Sequence, residues 1–147
     1  MPKAPRARAL PFTTETVWNA GLVGTGMSGE GRSLTVGHDG EWSPEHLLLL
    51  AAESCFMSTL LALARADGID VLGYVSSGQL HVPDDPQAVL SILLTPCIVV
   101  STDRDAERIR GLVRQAREES VVARTLGRGL TVALDVRAVP NGLEKER

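Results

Sequence analysis

The sequence is short of aromatic rings, with two Trp, two Phe and one Tyr in 147 residues. A core built from it must be aliphatic, and few faces exist on which nucleic-acid bases could stack. It also lacks a basic face: the formal net charge is −3, and outside Lys3, Arg6 and Arg8 no block of cations forms. No nucleic-acid partner is therefore expected. The basic opening is not followed by an apolar run of signal-peptide length, so the expected location is the cytoplasm. Two cysteines, Cys55 and Cys97, are too few for a disulfide scaffold, and each thiol has to be judged singly. Metal-ligand spacing is missing as well. His38, His46 and His81 stand apart from one another and from both cysteines, so no metal is expected.

What is present is the composition of a soluble globular chain, 44% apolar and 22% charged, long enough for one domain with a genuine core. The expected organisation is a loose, proline-containing leader over residues 1–13, a single domain over 14–140 and a frayed charged tail over 141–147. From Glu15 to Val36 the pattern is strand, glycine-rich turn, strand. Gly24, Gly26 and Gly29 match the GxGxxG dinucleotide fingerprint literally, but that motif must open a helix. Here Ser33 to Val36 reads as a strand, so a plain hairpin is the reading.

Ser43, Pro44 and Glu45 form a strong helix start: a hydroxyl cap, a proline at the first position and a carboxylate in the first turn. The helix should run to about Ala66 and end at Gly68. Leu47 to Ala64 is nearly long enough to cross a bilayer, yet it carries Glu53, Ser54, Ser58 and Thr59. It reads as a core helix rather than a membrane span. Being apolar on nearly every side, it needs protein all round, and a second copy of the chain would supply cover that one small chain cannot. Strands follow over Ile69–Val82 and Ala88–Val100, the latter with Pro96 expected at an edge or bulge. Ser101 or Thr102 should cap a second helix with Ile109, Val113 and Ala116 on its inner stripe. Ser120 falls on the same stripe, and Leu130–Val139 is a last strand. The order ββαββαβ gives an α+β fold.

Cys55 sits mid-helix in Ala-Glu-Ser-Cys-Phe-Met-Ser. On residues alone a small apolar filler is the simpler reading. A reactive thiol would need a positive charge or hydrogen-bond donors to hold its anion, and none is adjacent in sequence. Glu45 lies ten residues earlier, about 15 Å of helical rise, which excludes direct contact along one helix. Cys97, in a strand, reads as structural. Glu53 must reach solvent, find a cation or be protonated.

Trp42-Ser43-Pro44-Glu45, with the run from Leu47 through Cys55 to Phe56, Ser58 and Leu60, resembles the first signature of the OsmC/Ohr family of thiol-dependent hydroperoxide reductases. The stretch Ala116 to Leu126 is similar to the family's second motif, with Ser120 where the family's second, resolving cysteine stands. The resemblance covers about Glu15 to Val139. It implies an OsmC/Ohr-like α+β fold, two long central helices wrapped by β-sheets in an intertwined homodimer, with the active site at the subunit interface. It further implies Cys55 as the thiolate that attacks a hydroperoxide, and Glu45 as the carboxylate orienting a pKa-lowering arginine, for which Arg32 is the available residue. No bound cofactor is implied, only an external thiol or dithiol reductant. A serine cannot close the usual disulfide, so turnover would use one cysteine, or Cys97 if that lay within reach of Cys55. The alternative is a non-enzymatic dimer that binds a small apolar or thiol-bearing ligand at its interface.

Overall fold

The computed structural model describes residues 12–140. The expected tail over 141–147 and all of the expected leader but Phe12 and Thr13 lie outside the described residues. The chain forms two compact units that divide between Leu47 and Leu48.

The first unit is a three-stranded antiparallel sheet of β1 (Thr14–Ala20), β2 (Val23–Ser28) and β3 (Ser33–Val36), in that order. Three strands replace the expected two because the glycines were misplaced. Gly24 and Gly26 lie inside β2, paired with Trp18 and Thr16. The first turn is made instead at Gly21, whose φ of 54° suits a residue without Cβ. The phosphate-binding reading of the glycines fails with it, since Gly29 leads through Gly31 into β3 rather than into a helix.

α1 (Pro44–Ala66) starts and ends where its caps dictate. The Ser43 hydroxyl accepts the His46 N–H at 3.2 Å, and its carbonyl accepts the Leu47 N–H. Gly68, at φ 69°, closes the other end, with the Ile69 N–H on the Ala64 carbonyl. Ala52, Phe56, Leu60 and Ala64, spaced four apart, form its fully buried stripe. A second stripe with the same spacing, Leu50, Ser54, Ser58, Ala62 and Ala66, is exposed. Within the second unit, its part of the helix is therefore not enclosed on every side. The helix passes a length-and-composition test for crossing a membrane, but its buried stripe belongs to a core shared with strands and a second helix.

The second unit holds a mixed sheet. β4 (Val71–His81) pairs antiparallel with β5 (Ser91–Val100), and β6 (Leu130–Val132) and β7 (Asp135–Ala138) both run parallel to the other edge of β5. The register of β4 slips between Val71 and Gly73. Pro96 departs from expectation: it is buried in the central strand, not at an edge. β5 pairs with β6 through Leu94 and with β7 from Cys97 onward, so the residue without an N–H falls where the parallel ladder is interrupted. The same interruption splits the expected last strand in two.

α2 (Asp103–Glu119) is capped by Thr102, whose side chain accepts the Asp105 N–H. Ala106, Ile109, Leu112 and Ala116 are its buried residues, with Val113 half-buried beside them. The helix stops at Glu119. Ser120 takes an extended conformation, ends α2 and caps α3 (Val121–Leu126), after which a single 3-10 turn over Gly127–Gly129 leads into β6.

Candidate functional site

The break at Ser120 decides what Cys55 touches. Residue 120 is fully buried, the one polar residue so placed among the described residues. Its Oγ lies 3.0 Å from Cys55 Sγ, across 65 residues of sequence. The same Oγ accepts the Ala123 N–H at 3.4 Å as the cap of α3. Thr59, one turn along α1, donates its hydroxyl to the Cys55 carbonyl at 2.9 Å.

Cys55 is half-buried. Burial alone pushes its pKa up, but the Ser120 hydroxyl, the N–H groups of Val122 and Val121 and, least, the Thr59 hydroxyl together favour the anion more strongly. The net direction is below an ordinary thiol. The stabilising groups are hydrogen-bond donors rather than cations, so the partner missing from the local sequence comes from the α2–α3 junction. Sequence reading put Ser120 on the right stripe but missed the N–H groups of Val121 and Val122. The available signal was Ser120 itself, a strong N-cap residue in what was taken for continuous helix.

Two other expected site residues, Glu45 and Arg32, lie in the first unit. Glu45 sits exposed in the first turn of α1. Arg32 follows the turn between β2 and β3, where its N–H donates to Ser28 Oγ. It lines a cleft of about 730 Å³ in the first unit with Glu15, Glu30, Met27, Leu34 and Leu47. No ion pair joins Arg32 to Glu45 among the described residues.

Cys97 is on the wrong face to serve Cys55. In β5 the buried side chains are Ile92, Leu94, Pro96, Ile98 and Val100, and alternation sends Cys97 to the opposite face of the sheet. There its thiol lies 3.8 Å from Asp135. Within one chain, Cys97 is thus excluded as the residue that closes a disulfide on Cys55. Glu53 finds no cation among the described residues: its carboxyl lies against Gly78 of β4, and burial raises its pKa. Among the described residues, no group of three or more His, Cys, Asp or Glu side chains could hold a metal ion.

Residues 37–135 match the sequence model of the OsmC-like protein family. No curated protein sequence matches the chain significantly. Solved structures share its fold. An OsmC-like protein of unknown function from Vibrio cholerae superposes with a TM-score of 0.75 at 14% identity, covering 86% of this chain and 99% of that one. An organic hydroperoxide resistance protein from Legionella pneumophila gives 0.67 at 16% identity, with coverage of 90% and 100%. Another from Bacillus subtilis gives 0.63 at 18% identity, with coverage of 87% and 98%. At such identities the likeness speaks for the fold.

Proposed function

The chain belongs to the OsmC-like protein family, and on that premise we propose that it is a thiol-dependent peroxidase that reduces organic hydroperoxides, or hydrogen peroxide, through Cys55 in a one-cysteine cycle. The observation that carries this reading is the donor set at the thiol: Ser120 Oγ at 3.0 Å and the N–H groups of Val121 and Val122 hold the sulfur toward its anion. Two of the structural relatives are named organic hydroperoxide resistance proteins, which accords with it.

In the first step a lone pair of the thiolate attacks the distal oxygen of the peroxide. The O–O bond breaks, the leaving alkoxide takes a proton and departs as an alcohol, and Cys55 is left as a sulfenic acid. Ser120 offers no sulfur to condense with it, and Cys97 faces away. An external thiol therefore attacks the sulfenic sulfur, releasing water and leaving a mixed disulfide. A second thiol equivalent then frees Cys55 and carries off the small disulfide.

The reading includes a homodimer. The exposed stripe of α1, small at Ser54, Ser58, Ala62 and Ala66, suits close approach of another copy. Such an arrangement would let Glu45 and Arg32 of one chain serve the thiol of the other, beyond the 15 Å or so that separates Glu45 from Cys55 along one α1. A cytoplasmic location, with its reduced thiols, fits an external reductant. The second reading, a dimer that binds a small apolar or thiol-bearing ligand without chemistry, is favoured by Ser120 itself, which removes the family's second cysteine.

The deciding measurement is consumption of cumene hydroperoxide with dithiothreitol as reductant. Wild type should outpace Cys55→Ala, and equal rates reject the peroxidase. Mass spectrometry after one equivalent of peroxide should show one added oxygen on Cys55, trapped by dimedone.

A further inference from the structure

The hydrogen bonds around Ser120 are directional. A serine hydroxyl has one proton to give and lone pairs to accept with. The Ala123 N–H approaches Oγ as a donor, so that bond occupies a lone pair and leaves the hydroxyl proton free. Ser120 is fully buried, which leaves the proton no water to satisfy, and Cys55 Sγ stands at 3.0 Å. Thr59, one turn along the same helix, has its hydroxyl on the Cys55 carbonyl at 2.9 Å and adds a weaker pull on the sulfur. Ser120 is thereby the hydroxyl within 3.0 Å of the sulfur, and its orientation is set by the cap of α3.

We propose that Ser120 is a positioning residue for Cys55: held by its capping bond to Ala123, it donates its hydroxyl proton to the sulfur and keeps it as a thiolate in a fixed orientation. This deepens the peroxidase reading and rests on it for its functional meaning. It makes the serine more than the loss of a resolving thiol. A hydroxyl is a better donor than a thiol, so the substitution exchanges internal disulfide closure for a stronger hold on the attacking anion. The oxidised product is then a sulfenic acid that must wait for an external thiol.

The test uses the full chain carrying Cys97→Ala, so that Cys55 is its only thiol, and reads the pH midpoint of its alkylation by iodoacetamide with circular dichroism as the control for folding. S120A should shift the midpoint upward, with alkylation below it slowed about tenfold, the scale of losing one hydrogen bond to a charged group. S120T keeps the hydroxyl and should restore the wild-type midpoint. A folded S120A with an unchanged midpoint overturns the proposal. If S120A does not fold, S120C decides: one equivalent of peroxide should close a disulfide between Cys55 and the introduced cysteine, and a lasting sulfenic acid instead overturns the contact on which the proposal stands. A midpoint that moves with S120A in a protein that consumes no hydroperoxide would overturn the peroxidase and leave the role of Ser120 intact.

Discussion

A thiol whose anion is favoured in the folded state carries a signed consequence for stability. The folded pKa of Cys55 is lowered, so its contribution to stability is fully present above the unfolded-state pKa and is lost as pH falls through the folded value. Urea denaturation of wild type should therefore gain on Cys55→Ser as pH rises through that interval, whereas a constant difference between them would show no shift. Tyr74 carries the opposite sign. Burial, then the charge of Glu53, pushes its pKa up to about 12, so the fold disfavours the tyrosinate. Stability should fall as pH climbs from the unfolded value, about 10, toward 12. Because the chain has a single Tyr, the near-ultraviolet absorbance of tyrosinate reads this residue alone. Its midpoint should lie near 12 in native protein, and Glu53→Gln should lower it only in part, since burial is the larger cause. The Tyr74 hydroxyl and Ser76 Oγ are buried without partners among the described residues, which fits the reluctance of Tyr74 to ionise.

At the scale of elements, short polar signals set where helices begin and break. Ser43 and Thr102 each accept the N–H of the third residue of their helices, and replacing either with Ala should cost about 1 kcal/mol, read as a lower urea midpoint with an unchanged slope. Backbone closeness sets a second kind of limit. A Cβ at Gly129 would stand 2.7 Å from the Leu90 carbonyl oxygen, and a main-chain atom cannot swing aside as a side chain can. Gly129→Ala should cost on the order of 1–3 kcal/mol by forcing the backbone apart; an equally stable variant would mean that the 3-10 turn moves freely. Caps and glycine stops were legible in the sequence because they act over a few residues. The placement of Pro96 was not, because a proline can occupy a central strand only where a neighbouring ladder is interrupted, and β6 and β7 come more than thirty residues later.

For the whole molecule the decisive feature is the uneven cover of α1. One stripe of it packs into the core of its own chain and another, from Leu50 to Ala66, stands exposed, although nearly all of the helix is apolar. On the homodimer reading, sedimentation should show a dimer at micromolar concentration. Leu50→Glu, which sets a charge on the exposed stripe where Leu50 is 43% exposed, should shift it toward monomer. A monomeric wild type would reject the dimer and with it any service of Glu45 or Arg32 to a neighbouring chain's thiol.

The sequence by itself determined the α+β class, the extent of α1, the family signature around Cys55 and the burial of Ser120, because local periodicity and capping chemistry are written in consecutive residues. Only the tertiary structure decided that Ser120 meets Cys55 across 65 positions while Cys97 turns away on the far face of its strand. Those facts depend on how α2 breaks and which way a pleat points, and both are settled by packing between segments far apart in the chain.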